Sequence, residues 1–209
     1  MKRVIFLIAL LGIIFTSCKK DGKDDTANPS TSTDYTQLKV GNYRVYERYR
    51  IDTIGNETVF GDPDSLIITG DTLIRGNLYF KEFNVGQEHT SYLRDSSGCL
   101  VNELGEILFS EKNFNKVLRV DTIAPSLAFV EYQMVEGDTM ISISMGSYAC
   151  LDYRGTVTSL QPDYPHGTQY TYYFWADGLG MIKSNAYFYN NPSLRTGQRL
   201  KAFGQVEIE

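Results

Sequence analysis

The chain is poor in the residues on which most site chemistry depends. Its 209 residues include three cysteines, two histidines and one tryptophan. His89 and His166 stand far apart, and neither has a second histidine or a cysteine at zinc-ligand spacing. Both read as solvated loop residues. Asp62-Pro63-Asp64 and Asp21-Gly22 offer carboxylates but lack the ligand series of a calcium loop. No G-x-S-x-G elbow surrounds a serine, and no cysteine–histidine pair stands out. Gly178-Leu179-Gly180 lacks the third glycine and the strand-to-helix setting of a dinucleotide fingerprint. Glu103 and Glu106 form the kind of carboxylate pair a hydrolase uses, but surface acids of this sort are common. No catalytic set, metal or cofactor is expected. Long apolar runs are missing too: the longest, residues 4–15, has twelve residues, against about 20 for a membrane span. Positive charge is scarce, and a net −5 argues against nucleic acid, which wants a basic stripe.

What is present begins at the N-terminus. Met1-Lys2-Arg3 is basic, residues 4–15 are apolar, and Phe15-Thr16-Ser17-Cys18 follows. That order is a secretory signal peptide, residues 1–17. Its end resembles a bacterial lipobox. The resemblance to bacterial lipoproteins implies that Cys18 becomes the lipidated N-terminus and ties the chain to a membrane. It implies a cell-envelope, outer-membrane location, on the periplasmic or the surface face. Without Lys2 and Arg3 the chain carries 18 basic against 25 acidic residues, net −7, so the acyl chains rather than charge supply the attachment. Residues 18–34 form the lipidated cysteine and a tether with no aromatic or large aliphatic side chain. Lys19-Lys20-Asp21 and Asp24-Asp25 resemble the charged export tag of Bacteroidota surface lipoproteins, and equally suit an ordinary soluble linker. Cys99 and Cys150 remain. A disulfide between them would contribute about 4 kcal/mol on the chain-entropy model. The alternative is two separate small apolar side chains.

Residues 35–209 read as one β-rich domain. Short apolar runs alternate with turn signals every 8–12 residues or so, the spacing of an all-β fold. Tyr43, Val45, Tyr49 and Ile51 share one strand face; Arg44, Tyr46, Arg48 and Arg50 share the other. Gly70-Asp71 reads as a hairpin turn, and Gly76-Asn77, Asp95-Ser96-Ser97-Gly98, Gly105-Glu106, Glu136-Gly137-Asp138 and Asp177-Gly178 as further turns. Short helical turns are expected at most at residues 113–120 and 124–129. Fifteen tyrosines and eleven phenylalanines suit half-buried pleated surfaces. So many strands must hide their edges, and closure does so. The expected architecture is an antiparallel meander curved into a half-barrel or barrel.

Two motifs resemble a loose group of uncharacterised Bacteroidota lipoproteins. Leu38-Lys39-Val40-Gly41-Asn42-Tyr43-Arg44-Val45-Tyr46 is similar to their opening PL-x-x-GN-x-W-x-Y strand, with Gln37 in place of proline and Arg44 in place of tryptophan. Trp175-Ala176-Asp177-Gly178-Leu179-Gly180-Met181-Ile182-Lys183 is similar to their closing Y-A-x-G-V-G-L-V-K hairpin. The resemblance implies a curved antiparallel sheet akin to the half-barrel of periplasmic lipoprotein carriers, and no established activity.

Aspartate, serine or threonine, then an apolar residue recurs six times, with the hydroxyls Thr26, Thr53, Ser65, Thr72, Thr122 and Thr139. Composition alone gives about one such triplet. Turn chemistry accounts for the excess if the aspartate caps a turn and the threonine opens a strand. The triplet also resembles the Bacteroidota O-glycosylation acceptor. Asn56-Glu57-Thr58 fits the N-linked sequon.

The best binding candidates are the aromatics of residues 164–175, above all Tyr170, Tyr172, Tyr173 and Trp175. Aromatic faces stack on sugars or line apolar cavities. By alternation Gln169, Thr171, Tyr173 and Trp175 share one face; Tyr170, Tyr172 and Phe174 share the other. One face is core, so at most one is a site. Three functions fit. The first is a non-catalytic, lipid-anchored binding or scaffold protein for a glycan or partner protein, with a filled core and an exposed aromatic strip. The second is a carrier of a lipid or other apolar molecule, with an internal cavity lined by Phe, Leu and Tyr. The third is a carboxylate hydrolase, with two acids converging in a cleft.

Overall fold

The computed structural model describes residues 34–124, 127–161, 167–188 and 191–208. The expected signal peptide, Cys18, Thr26, Tyr164 and His166 lie outside the described residues. Among the described residues thirteen strands follow one another: β1 (Asn42–Ile51), β2 (Glu57–Val59), β3 (Asp64–Ile74), β4 (Asn77–Asn84), β5 (His89–Asp95), β6 (Cys99–Asn102), β7 (Ile107–Ser110), β8 (Val117–Ala124), β9 (Ala128–Ile143), β10 (Gly146–Ser159), β11 (Gln169–Ala176), β12 (Gly180–Phe188) and β13 (Asn191–Gln205). There is no helix among the described residues.

All strands belong to one sheet in the order β7-β6-β5-β4-β3-β1-β13-β12-β11-β10-β9-β8, with β2 paired to β1. The chain meanders outward from β1 to β7, passes directly to the far edge at β8, and meanders back to close β13 against β1. The two edge strands are therefore consecutive in the chain. Around this seam the contacts include an isolated Phe114–Met134 bridge and the Asn115 amide donating to the Met134 carbonyl at 2.8 Å. The result is a nearly closed, curved barrel, the all-β antiparallel architecture the alternation implies.

Three local expectations are corrected. Residues 113–120 do not turn helically but run into β8, which pairs with β9 from Val117–Gln133 to Ala124–Ala128. Backbone groups there find partners in a neighbouring strand, which a helical turn would forgo. Gly70-Asp71 is not the hairpin turn: β3 runs through it with a register shift between Ile68 and Gly70. The chain reverses at Arg75-Gly76, where both φ angles are positive, 51° and 79°, as a type I′ hairpin requires. Glu136-Gly137-Asp138 is likewise a bulge inside β9. The register there jumps from Asp138–Leu151 to Val135–Asp152, and Gly137 takes φ 97°. A glycine at positive φ serves a bulge as well as a turn.

That bulge lets the long β9–β10 hairpin bend. Its outer half brings Ile141, Ile143, Met145 and Tyr148 against a cluster of Tyr46, Cys150, Ala176, Leu179, Ile182 and Leu200. A larger cluster joins Leu93, Leu100 and Phe109 of β5–β7 to Val130, Met134, Tyr153, Val157 and Trp175 of β9–β11. This second cluster is the barrel interior, where the two arms of the meander face each other. Strand β1 is buried on both faces. Arg44 and Tyr46 are buried on one, Tyr49 and Ile51 on the other, so period two holds and each face is buried in part, with Arg48 and Arg50 exposed beyond Tyr46.

Candidate functional site

Strand β11 divides its side chains as alternation requires. Gln169, Thr171 and Trp175 are buried, and Tyr173 with Trp175 faces the interior cluster. Tyr170, Tyr172 and Phe174 form a ladder on the opposite face. Tyr172 and Phe174 stack with ring centroids 6.0 Å apart and 9° between planes. Tyr170 follows at 6.2 Å. The Arg154 guanidinium lies 5.2 Å from the Tyr172 centroid and is ion-paired to Asp152. The four candidate aromatics thus split: Tyr173 and Trp175 belong to one site, Tyr170 and Tyr172 to another.

The interior site is a partly open cavity of about 260 Å³. Its apolar wall comes from Leu66 of β3, Leu93 of β5, Leu100 of β6, Leu108 of β7, Tyr153, Trp175 and Met181. Both arms of the meander contribute, so the cavity exists only because the sheet curls. Its charged groups are Arg44, Glu82 and Arg119. Arg44 and Glu82 form an ion pair whose side chains are 10% and 12% exposed. Arg119 donates to Asp121 at 2.8 Å and lies 4.3 Å from the Tyr132 ring centroid. Burial raises the phenol pKa values of Tyr153 and Tyr173, and nearby Arg119 opposes the rise. Both stay neutral donors across the physiological range.

The two motifs at the start and end of the domain meet beside this cavity. The Tyr46 hydroxyl donates to the Met181 carbonyl at 2.8 Å. The Asp34 amide donates to Asp177 Oδ1 at 2.7 Å, and the Gly178 amide donates to the Asp34 carbonyl at 3.1 Å. Gly180, at φ 81°, leaves room that a Cβ would take from the Arg44 guanidinium. Tyr35, Phe109 and Trp175 stack in sequence, with centroids 5.5 and 4.7 Å apart. Arg44 lines the interior cavity. Arg48 and Arg50 lie over Phe60, 5.2 and 4.6 Å from its centroid.

Beside the apolar cavity is a polar one of about 220 Å³ lined by Arg48, Asp64, Asn185, Thr196 and Gln198, among others. Tyr173 lines both. The interior is therefore amphipathic along its length.

Other candidates fall elsewhere. Cys99 and Cys150 are free thiols on β6 and β10, which are not neighbours in the sheet. Cys99 Sγ lies 3.3 Å from the Ser110 hydroxyl, while Cys150 is fully buried and its thiol is pushed up to about 12 by that burial. Thr53, Thr122 and Thr139 are exposed; Ser65 and Thr72 are half-buried. Of their aspartates only Asp52 caps a turn, accepting from the Ile54 and Asn56 amides at 3.0 and 2.8 Å. Asp71, Asp121 and Asp138 sit within strands, so turn chemistry does not account for those triplets. Among the described residues no three potential ligands cluster as a metal site would require. Asp152 has its pKa raised by burial, with Arg154 pulling it back, but its partner is that arginine and not a second acid.

Sequence reasoning missed Glu82 and Arg119. Glu82 is a lone charge on a strand face with Leu78 and Phe80, and that mismatch was the available signal; Arg119 shares its face with Asp121 and gave no such signal.

No family model matches the chain, and no curated protein matches it. Similar solved structures include one from Parabacteroides distasonis described as a lipoprotein. It is 12% identical, with a TM-score of 0.50 over 82% of this chain and 99% of that one. Another, from Bacteroides fragilis, is described as an exported protein with a YmcC-like fold. It is 10% identical, with a TM-score of 0.49 over 83% of this chain and 100% of that one. The likeness is one of fold.

Proposed function

We propose that this chain is a non-catalytic binding protein of the cell envelope that holds a small, mainly apolar molecule inside its barrel. The observation that carries the reading is the interior cavity of about 260 Å³, walled by leucines, tyrosines, Trp175 and Met181. A pure surface scaffold would have a filled core, and this interior is not filled. The lipobox ending at Cys18 supports an extracytoplasmic, lipid-anchored location, as does the shared fold of the Parabacteroides distasonis lipoprotein. Carrier and sensor share this site, and both begin with capture.

Trp175 is the only tryptophan and lines the cavity, so it reports on occupancy directly. The full chain carrying Cys18→Ser is titrated with N-phenyl-naphthylamine while energy transfer from tryptophan is followed. Saturable transfer at one probe per chain, lost in the cavity-filling Ser91→Phe variant, supports the reading. No saturable transfer contradicts it.

A second reading attaches to the outer ladder. Tyr170 is 37% exposed beside the stacked Tyr172 and Phe174, a surface suited to a sugar ring. Glycan binding abolished by Tyr172→Ala, with probe transfer unchanged, assigns that role to the ladder.

A further inference from the structure

The wall of the apolar cavity is one-sided in its hydrogen bonding. Arg119 Nε and Trp175 Nε1 are both shielded from solvent and have no acceptor among the described residues. Both residues line the cavity, and Trp175 is only 7% exposed. Among the described residues, no buried side-chain oxygen of that lining lacks a donor. A buried donor without an acceptor costs free energy that an incoming acceptor recovers.

Charge leans the same way. Two arginines, Arg44 and Arg119, face one carboxylate, Glu82, and Arg44 already occupies it. Arg119 gives one Nη to Asp121, whose side chain is 41% exposed and so screened by water. Its Nε is left without an acceptor among the described residues. An arginine N–H and an indole N–H, both unmatched and both on residues lining one cavity, are donors suited to a carboxylate.

Size limits the rest. A cavity of about 260 Å³ lies just below the usual range for small-molecule pockets, roughly 300–1,000 Å³. It suits one medium-length chain better than the two acyl chains of a membrane lipid.

We propose that the occupant is a single-chain carboxylate, its head against Arg119 and Trp175 and its chain along Leu93, Leu100 and Met181. This rests on the cavity-binding reading above. The test is displacement of N-phenyl-naphthylamine from the full chain carrying Cys18→Ser, by decanoate and by decanol at neutral pH. Decanoate is expected to displace the probe at about tenfold lower concentration, the worth of one charge-assisted contact. In Arg119→Met that ratio falls below about twofold. Should that variant not fold, Arg119→Lys keeps the charge but loses the planar edge, and the ratio narrows at least about threefold. Equal displacement by acid and alcohol in the parent chain overturns the acidic head and leaves the cavity reading standing, as does a preference for decanol. A ratio unchanged in both arginine variants removes Arg119 from the site. Failure of the probe to bind at all removes the cavity reading, and this inference with it.

Discussion

At the scale of single residues, the fold depends on tyrosines laid across glycines. Tyr43 pairs with Gly204, Tyr49 with Gly197 and Tyr132 with Gly155, each directly across a ladder. At each glycine a Cβ would strike the facing tyrosine ring. These glycines sit in strand interiors, where glycine ordinarily weakens a strand. Here the ring covers the backbone the glycine exposes. Glycines in turns were legible because the signal, glycine beside aspartate or asparagine between apolar runs, is local. Those inside strands were not, because their partner lies tens to more than a hundred residues away in sequence. Arg44 and Glu82 are a second case. Removing one partner leaves the other charge buried, so Glu82→Leu should cost about 3–5 kcal/mol in urea unfolding. Arg44→Met together with Glu82→Leu should recover most of that loss. Equal stability of the single and double variants would contradict the pair's role. Tyr46 supplies a pH dependence. Burial raises its phenol from 10.0 to about 12, so the fold favours the neutral form. Its contribution is complete below pH 10 and is lost as pH rises through about 12. Urea midpoints should hold to pH 10 and fall steadily above it, and Tyr46→Phe should flatten part of that fall.

At the scale of elements, the strands were legible and two reversals were not. Alternation located β1 and β11, and Asp177-Gly178 located the β11–β12 turn. Gly70 and Gly137 read as reversals because a glycine between two apolar runs looks alike in a turn and in a bulge. What separates them is pairing further along: β3 and β9 each keep the same partner strand across the glycine. The bulge in β9 is what bends the β9–β10 hairpin over β12 and β13 and completes the cluster of Tyr46, Cys150, Leu179 and Leu200. Strand-interior glycines should therefore differ in their tolerance. Gly197→Ala places a methyl against the Tyr49 ring and the Ser184 carbonyl and should cost about 1–3 kcal/mol. Gly70→Ala meets nothing within 4 Å and should leave stability within about 0.5 kcal/mol. Thermal melts of the two variants side by side check the contrast, and equal losses would contradict it.

At the scale of the molecule, a meander whose first and last arms face each other encloses a space that neither arm forms alone. The all-β class and the curved sheet followed from spacing, because period two and regular turns are local properties. The cavity did not, because its wall joins β3 and β5–β7 to β10–β12 and depends on how far the sheet curls. The two-faced character of β11 was readable, but which face turned inward was fixed only by closure. The central claim is that the barrel interior takes up a ligand. Native mass spectrometry tests it most directly, on the full chain carrying Cys18→Ser and produced in a bacterial periplasm. A stoichiometric adduct of small-molecule mass is expected, and it should be absent from the Ser91→Phe variant. A bare protein mass that stays bare after incubation with a periplasmic lipid extract would contradict uptake.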